Sequence, residues 1–350
     1  MPRLIDPWIA RTVARRVAGN GSLTRSYLME RLTRDLAIAV PRSEELVGSA
    51  SGIPAPPPVR WTVIDRAQWA DANIKGMAEL LAPLGERVAE RLESVPTAVR
   101  TAQRALVSAE VGVLLGYVSR RVLGQYDLLV TETNGRRDAA LYFVGPNIVE
   151  TERSSGFVPE EFALWVALHE VTHRYQFDGV PWLRDRFFGL VRSYVEAVDL
   201  DARGLAGRLA TAAARLRQKS VPPEERNPIY LLASDEQRVV LDDIQALMAV
   251  VEGHGNFVMD HVGAQVIPSF RRMRGVFDKR RHQVSALQRA VNHAIGLEMK
   301  LRQYELGHDF CRAVAARRGV EGLAHIFKDP AHFPSLAELR EPELWMSRVA

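Results

Sequence analysis

Ala167-Leu168-His169-Glu170-Val171-Thr172-His173-Arg174-Tyr175 is the stretch from which the fold is best read. Pro159, Glu160 and Glu161 lie upstream and make a favourable first helical turn. Proline there loses no hydrogen bond, and the acids meet the positive end of the helix. Phe162, Leu164, Trp165, Val166 and Leu168 make the helix apolar on most sides, which predicts burial. Asp178, Gly179 and Pro181 predict its end. On such a helix His169 and His173 stand one turn apart and point the same way, so both imidazoles can reach one metal ion. Glu170 is turned too far round to join them as a ligand but is placed to take a proton from water at that ion. The bland alternative is two histidines bonded to nearby carbonyls and a solvated glutamate. It leaves a carboxylate among apolar neighbours without the partner it needs.

A catalytic metal requires a third protein ligand and one open position. Far along the chain, Ser234-Asp235-Glu236-Gln237 is a capping box that opens a long helix. That helix carries Val239, Val240, Ile244, Leu247, Met248, Val250 and Val251, then Glu252-Gly253-His254-Gly255-Asn256-Phe257-Val258-Met259-Asp260, and Pro268 stops it. Glu252 and His254 sit where an unpaired charge would be expensive. Gly253 removes a side chain, so this helix can approach the histidine helix closely. Asn256, one turn on, can orient the Glu252 carboxylate. His254 shares a stripe with Leu247, Val251 and Val258, which suits a core histidine, although it stays open as the ligand in place of Glu252.

Before the motif, Pro7 to about Val40 reads as two helices broken at Gly19-Asn20-Gly21, with Ser22 or Thr24 capping the second. Gly48 to Pro58 reads as a linker, small residues first and then a stiff proline run. The expected organisation is N-terminal helices and linker over 1–58, packing on a main domain over 59–350. Asp65 caps a helix through Leu81, and another runs from about Pro96 to Leu123 and ends at Gly124. Leu128–Thr131 and Ala140–Val144 are short β-type runs flanking Asn134-Gly135, the strongest short hairpin signal. The second run could offer an edge to an extended peptide. Helices are expected again over Trp182 to Leu216, Val276 to Leu306, Phe310 to Ala316 and Gly322 to Phe327. The fold class is therefore mainly α with a small β-hairpin or sheet.

At 350 residues, 47% hydrophobic and 25% charged, the chain has material for a large core in one or two domains. Cys311 is its only cysteine, which excludes an intramolecular disulfide. No apolar stretch at the start has signal-peptide length, and no run is long enough for a bilayer, so a cytoplasmic protein without membrane contact is expected. The net charge of +4 comes mostly from arginine. Its densest cluster, Arg271, Arg272, Arg274, Lys279, Arg280 and Arg281, has no aromatic ladder or nucleic-acid motif with it. It reads as a solvated helix face rather than a nucleic-acid site.

His169-Glu170-Val171-Thr172-His173 with Glu252-Gly253-His254-Gly255-Asn256-Phe257 resembles the zincin metallopeptidases of the glutamate-ligand (gluzincin) kind. More closely, His169 to Asp185, Glu252 to Asp260 and Gly296 to Tyr304 resemble a mostly actinobacterial family of zincin-like proteins, over about Arg60 to the end. One branch is labelled as associated with coenzyme F420 biosynthesis, a label of genomic company that implies no F420 binding. The resemblance implies a zincin-like architecture with an HExxH helix and a second ligand-bearing helix. It implies Zn2+ held by His169, His173 and Glu252, Glu170 as general base, and a peptide or protein substrate. The spacing from His173 to Glu252 is longer than in compact gluzincins. Such chemistry needs a further electrophile for the oxyanion; Tyr304, Tyr175 and His261 are the candidates, with Tyr304 ahead because the resemblance extends to it. The rival expectation keeps the zinc without proteolysis, as a hydrolase of another amide or as a binding and assembly factor.

Overall fold

The computed structural model describes residues 4–19, 26–128, 132–133, 136–137, 140–197, 228–282 and 297–349. For 132–133, 136–137, 140, 228–229, 280–282 and 297–304 it describes the backbone path alone. Contacts divide the chain into two compact units, Met1–Leu46 with Pro56–Arg174, and Val47–Ala55 with Tyr175–Ala350. The described part is mainly helical, as expected, with a small sheet.

The first unit begins with α1 (Pro7–Ala18) and most of α2 (Tyr27–Ala50). It continues through β1 (Arg60–Ile64), α3 (Arg66–Leu80), α4 (Ala82–Arg91), α5 (Thr97–Ser119) and β2 (Gly124–Tyr126). Two-residue strands β3 (Glu132–Thr133) and β4 (Arg136–Arg137) follow, then β5 (Ala140–Val144), α6 (Gly145–Ser155) and most of α7 (Pro159–Gly179). Asp65 caps α3 in a full capping box with Gln68. Asp6 caps α1 through the backbone N–H groups of Trp8 and Ile9, and its second oxygen accepts from Arg104 on α5 at 2.7 Å. α1 packs on α5 through small residues, Ala10 and Ala14 against Gly112 and Gly116, so the two backbones approach closely.

The sheet corrects the sequence reading. Thr133 and Arg136 face one another across Asn134-Gly135, so the hairpin signal marks a real pair of strands, β3 and β4. β5 is not an arm of that hairpin. It is the middle strand of a three-stranded sheet, parallel to β1 (Arg60↔Ala140 to Ile64↔Val144) and antiparallel to β2 (Gly124↔Phe143 to Tyr126↔Leu141). Both sides of β5 are paired, so it offers no edge to a peptide. Leu141, Phe143 and Val144 are completely buried, which explains a continuous apolar run rather than alternation. α5 also ends earlier than expected, at Ser119, and Gly124 opens β2 instead of closing the helix. Asn147 of α6 fixes that turn: its amide donates to the carbonyls of Ser119 and Val122 and accepts from Arg66.

The proline-rich stretch also differs from a free linker. Gly48, Ser49 and Ala50 form the last turn of α2, which runs through Pro41 at the cost of one backbone hydrogen bond. Pro56 and Pro57 present their carbonyls to Arg174, which is nearly fully buried and also ion-paired with Glu44.

In the second unit, α8 (Pro181–Glu196) and α9 (Pro228–Leu232) precede α10 (Asp235–Val266), which opens on the expected Ser234–Gln237 capping box. α11 (Phe270–His282), α12 (Leu297–Arg318), α13 (Ala324–Lys328), α14 (Leu336–Arg340) and α15 (Pro342–Arg348) complete it. The helices expected over 198–216 and 283–296 lie outside the described residues. α10 and α12 form the principal pair. The C-terminal residues fold back on it: Trp345 is fully buried, donates to the carbonyl of His332 at 2.6 Å and stacks edge-on to Phe310. Cys311 is fully buried, and burial pushes its thiol well above the usual range. No helix among the described residues is long and apolar enough to cross a membrane.

Candidate metal centre

α7 is buried along almost its whole length; Phe162, Leu168, Val171 and Thr172 have no exposure at all. Burial of one such large apolar side chain contributes about 1.5–3 kcal/mol, so the helix is held far more firmly than helix propensity alone would hold it. The two histidines are the partial exceptions. His169 and His173 are half-buried, and their Nε2 atoms lie 3.1 Å apart with the rings nearly perpendicular. Two nitrogens each about 2.0–2.1 Å from one tetrahedral ion would lie roughly 3.3 Å apart. The pair therefore needs almost no adjustment to share an ion.

Glu170 is buried and lies on β2. A β-carbon built on Gly124 would fall 2.6 Å from Glu170 Cγ and 2.7 Å from its Cδ and Oε1. The absence of a side chain at position 124 makes room for that carboxylate. Gly124 read in the sequence as a helix stop, so its service to Glu170 was missed; the pattern of nearby residues holds no signal for it.

On α10, Glu252 is buried and His254 and Asn256 accompany it in the core. One ligand atom from each of His169, His173 and Glu252 lies within 4.8 Å of the others, a group that could hold a metal ion. Two imidazoles and a carboxylate are a donor set suited to a borderline-soft divalent ion with an open position. His254 is engaged differently. Its Nδ1 accepts from the Gln176 amide at 3.0 Å, and Phe327 packs edge-on against its ring.

Two expectations around Glu252 are corrected. Asn256 donates to the backbone carbonyl of Glu252 at 3.0 Å, not to its carboxylate, because an i→i−4 bond within the helix is the shorter reach. Gly253 does bring two helices together, but its neighbour is α12: a β-carbon there would lie 2.5 Å from Gly307 Cα and from the backbone nitrogen of His308.

The proposed electrophiles separate. Tyr175 is buried with its ring against Gly48. His261 is exposed and stacked flat on Phe257, centroids 5.9 Å apart. Tyr304 lies on α12, and its side chain is outside the described residues. In the arginine cluster, Arg274 is committed to Asp260 at 3.2 Å and Asp278 at 3.9 Å, while Arg271 and Arg272 are exposed.

The fold and the donor set describe a helical protein able to carry a single mixed nitrogen–oxygen metal centre, the kind that hydrolases use. Over residues 5–346 the sequence matches the family of zincin-like metallopeptidases, and the chain belongs to it. It is also similar to a protein of Chloroflexus aurantiacus whose crystal structure is described as that of a proposed hydrolase with a novel fold. The two share 32% sequence identity, 98% of each chain is covered, and the TM-score is 0.70. Both findings support a hydrolase, and the family match implies a metal, typically zinc. No curated protein is significantly similar to the chain.

Proposed function

We propose that the chain is a zinc-dependent peptidase in which His169, His173 and Glu252 hold the ion and Glu170 is the general base. The observation that carries this reading is the convergence of two imidazole nitrogens and one carboxylate oxygen within 4.8 Å. An ion held there would supply a Lewis acid that lowers the pKa of water and polarises a carbonyl. Glu170, one residue from His169 and with its carboxylate lodged over Gly124, accepts the water proton and returns it to the leaving nitrogen. β2 is an edge strand of the described sheet, so an extended peptide adding to its outer side would pass the Glu170 carboxylate.

Metal analysis joined to a peptide-library digest tests the reading. The wild type should hold about one zinc per chain, and His169→Ala should lose it. Glu170→Gln should keep zinc and cleave nothing. Cleavage by Glu170→Gln at the wild-type rate would remove Glu170 as base, and a wild type without zinc would remove the site.

A further inference from the structure

His169, His173 and Gln176 follow one another at i, i+4 and i+7 on the continuous helix α7, the spacing of a single helix face. The direction in which Gln176 points is therefore the direction in which the imidazoles point. Gln176 is completely buried, and its amide nitrogen meets α10 twice, 2.8 Å from the carbonyl oxygen of Val251 and 3.0 Å from Nδ1 of His254. A carbonyl oxygen can only accept, so the nitrogen end of the amide faces it, and that fixes the amide's orientation. Both amide hydrogens are then donated, Nδ1 of His254 accepts, and the imidazole carries its proton on Nε2. Val251 and His254 stand on either side of Glu252 in sequence. His254 is braced from behind by Phe327, centroids 4.9 Å apart.

We propose that Gln176 is a positioning residue for Glu252: its two bonds set the rotation and register of α10 against the face of α7 that carries the histidines. The proposal rests on the reading of His169, His173 and Glu252 as ligands of one ion. Apolar side chains alone would let two helices slide or turn by fractions of an ångström, whereas metal–ligand distances tolerate about 0.2 Å. A forked donor with two fixed acceptors on the neighbouring helix removes that freedom. No motif marks Gln176, yet it continues the stripe that the two histidines begin.

The test compares zinc affinity, by competition with a chromophoric chelator, with the thermal midpoint of the metal-free protein, both on the full chain. Gln176→Leu removes the donors, and Gln176→Glu, nearly the same in shape, serves where Leu does not fold. His254→Phe keeps a ring against Phe327 without the acceptor. Trp345→Phe, which breaks the bond to His332 elsewhere in the same unit, is the control for plain destabilisation. The Gln176 and His254 variants should each bind zinc roughly 10- to 100-fold more weakly. The double variant should lose no more than the worse single one, because the two act as a unit. Trp345→Phe should lower the thermal midpoint and leave zinc affinity unchanged. Wild-type affinity in both Gln176 variants, or an equal loss in Trp345→Phe, would overturn the positioning role while leaving the ligand set intact. A wild type that takes up no zinc would overturn the ligand set, and the positioning role with it.

Discussion

Gly124→Ala isolates the placement of Glu170 from every other feature of the site. The new methyl would lie 2.6–2.7 Å from Cγ, Cδ and Oε1 of Glu170. Ordinary carbon contacts begin near 3.5 Å, so the carboxylate must retreat by roughly 0.8 Å. Gly124 is not among the described glycines with positive φ, so alanine fits the backbone of the strand without strain. Alanine is also at least as good as glycine in a strand, which keeps the expected change in stability within about 1 kcal/mol. A displacement approaching 1 Å at a reacting group can cost about 100-fold in rate. The expected result is a fall in kcat of about that size on a peptide identified from the library digest, with KM and zinc content close to wild type. Turnover within about threefold of wild type, in a protein where Glu170→Gln is inactive, would refute the claim that Gly124 seats the base.

Gly253→Ala should behave in the opposite way. Its methyl meets backbone atoms of Gly307 and His308 that cannot step aside, so α10 and α12 must separate. A loss of about 1–3 kcal/mol or more is expected, read as a lower urea midpoint with an unchanged slope. Asp6→Ala should cost about 1–2 kcal/mol through the lost cap of α1 and the lost bond to Arg104. The Arg104 hydrogen bond, outweighing burial, lowers the Asp6 pKa below the usual carboxylate value. The contribution of that carboxylate is therefore fully present above about pH 5 and lost as pH falls through and below about 3.9. A urea titration of wild type and Asp6→Ala at pH 7 and pH 3 should show the two curves converging in acid.

The parts of this protein that were legible in its sequence are those whose chemistry is local. The His169-Glu170-x-x-His173 spacing, the capping boxes at Asp65 and Ser234, and the pairing of β3 with β4 signalled by Asn134-Gly135 each depend on residues within a few positions. The partner of β5 was not legible, because parallel pairing with β1 joins strands about 80 residues apart through no shared turn. Gly253 shows the limit of a close-approach argument: a missing side chain says that a backbone comes near, and only the fold shows that it is Gly307. Gln176 and Arg174 carry no motif of their own. What distinguishes them is burial of a polar side chain with committed partners, and that property exists only once the elements have packed.

Arg174, next in sequence to His173, has one further consequence for the segment it grips. Proline has few backbone conformations to surrender, so immobilising Pro56 and Pro57 extracts little configurational freedom from the chain. One guanidinium, shared between their carbonyls and Glu44, is enough to hold fast the proline end of a stretch that reads as a linker.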